Sequence, residues 1–486
     1  MTLLADFKHK QILVLGAGIT GMSCVRYLSA HGLSFAVNDS RINPFADNYS
    51  QKQFCEEFPT VSLHLGQWQS ALIANADVIL ISPGIDSTIE EIAQHISDDC
   101  SLMGDVELFC QINNERGFDE QDKPVDILAI TGSNGKSTVV SLLTYLAKSL
   151  GVNAQLGGNI GQPVLNILTD EKTGTNTCSS KGVPELLILE LSSFQLETLT
   201  SMKAIATSVL NVSDDHLDRH QTMGNYIKIK QSIYQQGKLA ITNRDDLATS
   251  TPIQSQPILS FGSDMPGDNQ FGISIHDGKA NLAFGQQSLI ALDKLPLAGM
   301  HNALNYLTAL AFGHSVGWSL TAMINNLVGF TGLAHRCQRV ESKDNIIWIN
   351  DSKATNVGAT IAAINGLAQT LASQSSTVKA DTKQRLILIA GGDGKGADFT
   401  PLIKPLTQHV SQVITLGKDG DKIGALVENS CKVVSLIEAV QVAKTIANTG
   451  DIVLLSPACA SLDMFKNFSE RGEQFITAIT QLSEAS

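Results

Sequence analysis

A short glycine-rich segment in the second quarter of the chain carries the residue types that bind a nucleoside triphosphate. It reads Gly132-Ser133-Asn134-Gly135-Lys136-Ser137, with an apolar strand pattern before it and an amphipathic helix pattern after it. Backbone N–H groups of such a turn surround phosphates, a lysine reaches the β and γ oxygens, and a hydroxyl binds Mg²⁺. Ile130 stands where the usual phosphate loop has its first glycine, so this is a shorter variant. The segment predicts ATP binding.

A second glycine-rich segment lies close to the N-terminus. Gly16, Gly18 and Gly21 follow a strand pattern, and Asp39 closes the next strand. Bare backbone at such a turn admits a pyrophosphate at a helix N-terminus, and the carboxylate accepts a hydrogen bond from a ribose hydroxyl. Three interpretations stay open on this pattern alone: a nicotinamide cofactor, a nucleotide-diphosphate substrate, or glycines that only allow a strand and a helix to pack closely.

Polar side chains also follow the neighbouring strand patterns, where ligands of parallel sheets bind. Glu190 ends an apolar strand beside the phosphate loop, so it either reaches a metal on the phosphates or caps the turn that follows. His216 follows the next strand after Asp214 and Asp215, which is compatible with a metal ligand or with a structural histidine. Lys230 lies on a helix pattern and by itself indicates a solvated side chain.

The length of 486 residues indicates about three domains. Strand patterns alternate with helix patterns, which predicts the parallel sheets of an α/β protein. The strand patterns lie at 11–15, 34–38 and 78–81, then at 126–130, 186–189 and 206–210, and finally at 346–349, 385–390, 413–416 and 452–455. Residues 247–287 have little periodicity and predict a peripheral β excursion, whereas 301–317 predict a helix.

Composition and charge exclude several classes of protein. Asp and Glu number 47 against 34 Lys and Arg, and the net charge of −13 disfavours binding to nucleic acid or to an anionic membrane. The eight cysteines have no zinc-ligand spacing, and a chain of this size needs no disulfides, so we expect a reduced, cytoplasmic protein. No apolar run approaches the length of about 20 residues that spans a bilayer, so we expect no membrane insertion.

Eight segments, spread in order over nearly the whole chain, resemble the Mur ligase family. They are Thr131 to Ser137, Gly157 to Gly161, Glu190 to Leu196, Asn211 to Arg219, Phe330 to Arg336, Asn350 to Asn356, Gly391 to Lys395 and Ser456 to Phe468. The blocks Asp351 to Asn356 and Ser456 to Asp463 are similar to those of the branch that adds D-glutamate. The sequence has no Asp-Asn-Pro-Arg segment, which the diaminopimelate-adding branch carries.

The resemblance implies an α/β protein of three domains, each with a mostly parallel sheet flanked by helices. A Rossmann-like domain at 1–104 would bind a UDP-sugar, a P-loop-type domain at 105–332 would bind ATP, and a Rossmann-like domain at 333–486 would bind an amino acid. The implied substrates are ATP, D-glutamate and UDP-N-acetylmuramoyl-L-alanine, in cytoplasmic peptidoglycan precursor synthesis. The resemblance therefore favours UDP over a nicotinamide cofactor as the ligand of the first glycine loop. We also expect the protein to be a monomer.

The resemblance also implies a ligand for each candidate residue. ATP would contact Gly132, Ser133, Asn134, Gly135, Lys136, Ser137, Thr138, Asn302, Asn305, Arg336 and Asp351. The UDP-sugar would contact Gly18, Ile19, Thr20, Ser40, Arg41, Ser82, Gly84, Asn159 and His216. D-glutamate would contact Lys353, Thr355, Lys395, Ser461 and Phe468. Two Mg²⁺ ions would be held by Ser137, Glu190, His216 and a carbamate on Lys230, and the catalytic residues would be Lys136, Glu190, His216 and Lys230.

The implied chemistry activates a substrate carboxylate with the γ-phosphoryl group of ATP, and the amine of D-glutamate then attacks the acyl phosphate. We expect the third domain to close onto the nucleotide and to bring Arg336, Asp351 and Lys353 with it. Two alternatives stay open: another amino-acid ligase of the Mur or folylpolyglutamate type, and a nucleotide-controlled binding protein. Insertions at about 171–183 and 371–384 have no counterpart in the resemblance.

Overall fold

Three β-sheets follow one another along the chain, each with helices against it. The computed structural model describes residues 2–46, 49–116, 123–173, 183–297, 299–375 and 384–484. The predicted class, an α/β protein with three mostly parallel sheets, is confirmed. The domain boundaries after residues 104 and 332 stay predictions.

The first sheet has five strands in the order β3-β2-β1-β4-β5, all parallel. Its elements are α1 (Leu3–Phe7), β1 (Ile12–Leu15), α2 (Ile19–Ala30), β2 (Phe35–Asp39), α3 (Gln51–Glu57), β3 (Ser62–Leu65), α4 (Ser70–Asn75), β4 (Val78–Ile81), α5 (Glu90–Ala93) and β5 (Ser101–Met103). The strand order reverses beside β1, so the loop between β1 and α2 lies at the point where such sheets bind ligands.

The central sheet has nine strands in the order β14-β13-β12-β11-β10-β9-β6-β8-β7. Its elements are α6 (Asp105–Glu115), β6 (Asp126–Thr131), α7 (Lys136–Ser149), β7 (Ala154–Gly158), α8 (Val164–Thr173), β8 (Leu186–Glu190), α9 (Ser193–Leu196), β9 (Ala204–Val209), α10 (Leu217–His220), α11 (Met223–Gln231), β10 (Gly237–Asn243), β11 (Ile258–Phe261), β12 (Gln270–His276), β13 (Lys279–Phe284), β14 (Gln287–Ala291), α12 (Met300–Ser315) and α13 (Leu320–Leu327). Only β12, β13 and β14 pair antiparallel among the described strands of this sheet, and they form the predicted peripheral excursion.

The third sheet has six strands in the order β15-β16-β20-β17-β18-β19. Its elements are β15 (Gln338–Val340), β16 (Ile347–Asn350), α14 (Val357–Ser375), β17 (Leu386–Gly391), α15 (Ile403–His409), β18 (Gln412–Leu416), α16 (Gly420–Gly424), β19 (Ser430–Lys432), α17 (Leu436–Ile446), β20 (Ile452–Leu455) and α18 (Phe468–Glu484). The strand β15 pairs antiparallel with β16, and the other neighbours are parallel.

The strand and helix positions follow the sequence patterns closely, with shifts at their ends. The helix predicted at 301–317 spans Met300–Ser315, and the strand predicted at 206–210 spans Ala204–Val209. Most of the two insertions, residues 174–182 and 376–383, lies outside the described residues. No helix within the described ranges is both long and apolar enough to cross a bilayer.

A continuous apolar core joins the first sheet to the central one. Val25 and Leu28 of α2 belong to the same buried cluster as Leu165 of α8 and Leu187 and Leu189 of β8. Because these side chains are removed from water together, the two domains are held in a defined relative position. The loops at the carboxyl ends of β1, β6 and β8 are therefore fixed by packing.

Candidate active site

The phosphate loop has backbone conformations that require its two glycines. Gly132 has a φ of +146° and Gly135 a φ of +84°, and Gly135 is the residue before α7. A Cβ at Gly135 would lie 2.6 Å from Asn305 Oδ1, so a larger residue meets both strain and a clash. The Lys136 ammonium donates to the carbonyl oxygens of Gly132 (2.8 Å) and Ser133 (2.9 Å), which holds it over the loop where phosphates would bind.

Glu190 is the last residue of β8 and lies beside the phosphate loop, because β6 and β8 are neighbouring parallel strands with Ile130 opposite Glu190. Its side chain is buried, and Oε1 accepts a hydrogen bond from Asn159 Nδ2 at 2.8 Å. Its Oε2 is buried with no hydrogen-bond partner among the described residues. An unpartnered buried carboxylate oxygen is costly unless a cation or donor reaches it, so this oxygen fits a Mg²⁺ ligand.

His216 lies on the same cavity, in the turn after β9. Its φ of +54° is left-handed, and its Nε2 lies 3.7 Å from Asp215 Oδ2. Burial lowers the pKa of the His216 imidazole, against the opposing effect of Asp215, and this favours the neutral form that binds metals. The described residues hold no group of three His, Cys, Asp or Glu side chains arranged for a metal, so phosphate and water would have to complete a Mg²⁺ shell.

Lys230 is not solvated, in contrast to the interpretation of its helix pattern alone. Only 1% of the residue is exposed, and its ammonium donates to Gly132 O at 3.0 Å and lies 4.6 Å from the centre of the Tyr226 ring. Burial, and next the charge of Lys136, lower the pKa of Lys230 well below its usual value. The helix pattern misled because burial here comes from β6 and the loop, which are about 100 residues away in sequence.

The third domain is docked on the phosphate loop. Arg336 Nη2 donates to Ser137 Oγ at 2.7 Å, and Asn356 Nδ2 donates to Asn134 Oδ1 at 3.2 Å. A Cβ at Gly358 would lie 3.0 Å from Ser213 Oγ, so the start of α14 fits closely against the central domain. Arg336 therefore lies at the phosphate loop, and closure of the third domain onto a nucleotide stays a prediction.

Two adjoining cavities lie at this junction, and Asn134, Gly135, Arg336 and Lys353 line both. The first, of about 300 Å³, is lined by the candidate ATP residues Thr138, Asn302, Asn305 and Asp351 and by apolar side chains such as Phe261 and Leu297. The second, of about 250 Å³, is lined by Ser133, Lys136, Ser137, Asn159, Glu190, His216, Lys230 and Thr355. A flat apolar ring fits the first cavity, and anions fit the second.

The candidate D-glutamate residues are only partly brought together. Lys353 Nζ lies 4.0 Å from the centre of the Phe468 ring, and Thr355 lines the second cavity beside Lys353. Burial, and next the charge of Arg336, lower the pKa of Lys353 to about 8. Lys395 and Ser461 lie outside the described lining of both cavities. Lys395 has a left-handed φ of +52°, and Ser461 is buried with its carbonyl accepting from Met464 and Phe465 N–H groups.

The candidate UDP-sugar residues of the first domain form a separate group around the first glycine loop. Asp39 does not offer free oxygens to a ribose: Oδ2 accepts from Ala17 N–H and Arg41 Nη2, and Oδ1 accepts from Arg41 N–H and Nε. A Cβ at Gly21 would lie 1.7 Å from Gly16 O, so close packing requires this glycine. Among the other residues of the group, Gly18, Ser40, Ser82 and Gly84 lie in the loops that follow β1, β2 and β4, and Ile19 and Thr20 are the first residues of α2.

Several residues at the loop were missed by the sequence reasoning. Asn211 Oδ1 accepts from Asn134 N–H at 2.8 Å, and the Tyr226 hydroxyl lies 3.1 Å from Ser133 Oγ. Asn211 directly follows a buried strand segment, a position that could have marked it. Tyr226 and Asn356 lie on helices or helix starts far from the loop in sequence, and nothing local distinguishes them.

The three mostly parallel sheets and the cavity lined by the phosphate loop are typical of an ATP-using α/β protein. Three domain models of one family match the sequence: the Mur ligase MurD-like N-terminal domain over residues 10–104, the Mur ligase middle domain over 130–313 and the Mur ligase glutamate ligase domain over 335–459. The chain belongs to the Mur ligase family.

Curated relatives of high identity bear one name, UDP-N-acetylmuramoylalanine–D-glutamate ligase. The protein from Colwellia psychrerythraea is 58% identical over 479 residues, covering 99% of this chain and 98% of the relative. The protein from Shewanella violacea is 44% identical over 463 residues, covering 95% and 94%. Among solved structures, the UDP-N-acetylmuramate-alanine ligase of Thermotoga maritima is similar with a TM-score of 0.59 at 15% identity, covering 98% of this chain and all of that one. At that identity, the likeness bears on the fold alone.

Proposed function

We propose that this chain is an ATP-dependent ligase that joins D-glutamate to UDP-N-acetylmuramoyl-L-alanine in peptidoglycan precursor synthesis. Family membership and the shared name of relatives at 58% and 44% identity support the reaction. The structural observation that carries it is the pair of adjoining cavities with Arg336 and Lys353 in both linings, because a phosphate donor and an amino-acid acceptor then meet at one point.

In the first step a carboxylate oxygen of the UDP-sugar substrate attacks the γ-phosphorus of ATP, the bond to the β-bridging oxygen breaks, and ADP leaves. Lys136, Arg336 and the N–H groups of the phosphate loop bind the phosphates and offset the repulsion between two anions. Neither Lys136 nor Arg336 is a nucleophile here. Both act by charge and position, since their donors converge on the phosphate loop.

In the second step the neutral amine of D-glutamate attacks the carbonyl carbon of the acyl phosphate, and the resulting tetrahedral intermediate loses a proton from nitrogen to solvent and expels inorganic phosphate to give the amide. Lys353 and Thr355 would bind carboxylates of D-glutamate, since both line the cavity that holds Lys136 and Glu190. Phe468, against which the Lys353 ammonium lies, would fix the direction of that ammonium.

Mg²⁺ would be held by Glu190 Oε2, the Ser137 hydroxyl and His216, all of which line the second cavity. When bound, Mg²⁺ neutralises phosphate charge and makes the γ-phosphorus a better electrophile. Ser137 Oγ accepts from Arg336 Nη2, which places the guanidinium beside a residue that would hold Mg²⁺.

Lys230 would act as a carbamate, which turns a buried cation into an anion beside the phosphate loop. Burial lowers its pKa and so favours the neutral amine, the form that adds to carbon dioxide. Lys230→Ala is expected to lose most of the activity, and a short carboxylate such as formate is expected to restore part of it by filling the vacated space. Lys228→Ala, on the same helix, is the control. Wild-type rates in Lys230→Ala would reject the role.

The remaining expectations concern the whole molecule. We propose that the enzyme works in the cytoplasm as a monomer, since residues of one chain line both cavities. Light scattering at micromolar concentration is expected to give the mass of a single chain, and a stable dimer mass would contradict the monomer.

The decisive experiment measures phosphate release from ATP with a panel of amino acids and UDP-muramoyl substrates. We expect release only when D-glutamate, UDP-N-acetylmuramoyl-L-alanine and Mg²⁺ are all present, together with one amide product per phosphate. Release with another amino acid would favour a different ligase of the family. Nucleotide binding without substrate-dependent release would favour a nucleotide-controlled binding protein and overturn the proposal.

A further inference from the structure

Arg219 connects the first domain to the turn that carries His216. It lies on α10, the helical turn that begins directly after His216. Its Nε lies 3.5 Å from Asp86 Oδ2 of the first domain, and its Nη2 donates to Glu197 Oε2 of the central domain. The Arg219 side chain is only 13% exposed. A charged group this buried between two carboxylates is held in one place, unlike a surface arginine.

Arg219 also reaches His216 through an aromatic ring. Its guanidinium carbon lies 5.3 Å from the centre of the Phe194 ring, and that ring meets the His216 ring edge to face with centres 4.9 Å apart. His216 has left-handed backbone, which a residue other than glycine keeps only where neighbouring contacts support it. Phe194 and the α10 turn supply those contacts, so displacement of Arg219 would move or loosen His216.

On the other side, Asp86 belongs to a segment that packs on the first glycine loop. The segment follows β4 and includes Ser82 and Ile85, whose Oγ and Cδ1 atoms would lie 2.7 and 2.9 Å from a Cβ built on Gly16. The Asp86 side chain also accepts from Thr88 N–H and hydroxyl groups, which fixes its direction. Contacts thus run without a gap from the first glycine loop through Asp86 and Arg219 to the residues around His216.

We propose that Arg219 is a positioning residue that couples the UDP-sugar site of the first domain to His216 in the second cavity. The inference rests on the proposed function, because it takes the first glycine loop as the UDP-sugar site. Binding of the UDP-sugar at the first glycine loop stabilises the segment after β4 in the position it has here, Asp86 then holds Arg219, and Arg219 with Phe194 holds His216. The sugar substrate therefore favours the arrangement of the second cavity in which His216 is held in place.

Kinetics of four variants test the positioning role: Arg219→Gln, Arg219→Lys, Asp86→Asn and the double variant Arg219→Gln with Asp86→Asn. Removal of a residue that orients a metal ligand typically costs about tenfold or more, so we expect kcat of Arg219→Gln to fall about tenfold and its half-saturating Mg²⁺ concentration to rise. KM for ATP should stay within about twofold, because Arg219 does not line the first cavity, which holds the candidate ATP residues Asn302 and Asn305. Arg219→Lys keeps the charge and should recover part of the loss.

The double variant tests whether Asp86 affects His216 only through Arg219. If Asp86 acts through Arg219, the double variant should lose no more than Arg219→Gln alone. Arg244→Gln serves as the matched control, because the Arg244 side chain is 18% exposed, pairs with Asp264 in the same domain and lines neither cavity. Independent, multiplicative losses from Asp86 and Arg219 would overturn the proposal, and so would an Arg219→Gln variant that melts at a lower temperature with unchanged kcat and Mg²⁺ dependence.

Calorimetry tests the coupling without turnover. The affinity for UDP-N-acetylmuramoyl-L-alanine is measured with and without Mg²⁺ and ADP, and linkage requires the two sites to affect each other equally. We expect Mg²⁺ and ADP to tighten sugar binding in the wild type and to have no effect on it in Arg219→Gln. An equal effect in both proteins would overturn the coupling. If the wild type binds both ligands but makes no amide, the proposed function fails while this measurement still decides the inference.

Discussion

The two glycine-rich loops of this chain use the same residue type for different purposes. In the first loop the glycines allow backbone to meet backbone, as the 1.7 Å between a Cβ at Gly21 and Gly16 O shows, and the Asp39 carboxylate is fully occupied by Arg41 and Ala17. In the second loop Gly135 holds a left-handed turn, and the nearby Glu190 keeps one buried oxygen without a partner among the described residues.

The carboxylate at the first loop is hydrogen-bonded within the protein, whereas the carboxylate beside the second loop has an oxygen without a partner among the described residues. We therefore expect the two loops to respond differently to mutation. Changes at the first loop should cost stability, because its glycine packing and the Asp39 carboxylate are complete within the protein, although the buried Ser82 Oγ beside Gly16 has no hydrogen-bond partner among the described residues. Changes at the second loop should cost activity, because its polar groups are arranged for ligands. The opposite result at either loop would break the comparison.

The largest effect is expected for Glu190→Gln. Loss of one preorganised charged group at a phosphoryl-transfer site costs about 10²- to 10³-fold in kcat, whereas the amide removes a buried carboxylate oxygen that has no hydrogen-bond partner among the described residues and should leave the melting temperature equal or higher. Steady-state phosphate release and thermal unfolding measure the two quantities.

Glu107→Gln is the matched control for Glu190→Gln. Glu107 is a buried carboxylate whose oxygens accept from the N–H groups of Thr200 and Ser201 and from Gln111 Nε2. Glu107→Gln should lower the melting temperature and leave kcat unchanged. Loss of stability at Glu190 with unchanged kcat would show that its oxygen has a structural role.

The second prediction concerns packing in the first loop. Gly21→Ala should lower the free energy of unfolding by about 3 kcal/mol, since an added methyl group meets the Gly16 carbonyl and backbone must move. Gly84→Ala is the control, because no heavy atom lies within 4 Å of a Cβ at Gly84. Chemical denaturation measures both variants. Equal stability of the two would indicate that the first loop adapts freely.

The extent to which sequence predicted these loops follows from the range of the interactions. The phosphate loop and Glu190 were predictable because a strand, a turn and a helix adjacent in sequence define them. The contact of Asn356 with Asn134 joins residues 222 positions apart, and no local pattern encodes it. Lys230 was misjudged from its helix for the same reason, while the resemblance to a known family placed it at the site. The three sheets were predictable because alternating strand and helix patterns have few arrangements.

The third prediction concerns the charge of Lys353, which lines the cavities beside the second loop. Burial, and next the charge of Arg336, lower the pKa of Lys353 to about 8, so the free enzyme loses this cation as pH rises through that value. A carboxylate of D-glutamate needs the protonated form, and kcat/KM for D-glutamate should therefore fall about tenfold per pH unit on the alkaline side. Lys353→Arg should remove this alkaline limb, since a guanidinium stays charged. A pH-independent kcat/KM up to pH 10 would exclude contact between Lys353 and the amino acid.

The smallest effect is expected for Asp39→Asn, and its dependence on pH distinguishes a structural carboxylate from a ligand-binding one. Burial alone would raise the pKa of Asp39, but hydrogen bonds from Arg41 and Ala17 outweigh burial and lower it. A carboxyl group whose pKa is lower in the folded state stabilises the fold above its unfolded pKa of about 3.9, and this contribution is lost as pH falls through the folded value. Because the Arg41 side chain is largely exposed, Asp39→Asn should cost only about 1 kcal/mol at neutral pH, and the difference from wild type should shrink as pH falls through the lowered pKa of Asp39. Denaturation at pH 7 and pH 3 measures it, and a variant with full stability but weakened UDP-sugar binding would show that Asp39 acts on the ligand directly.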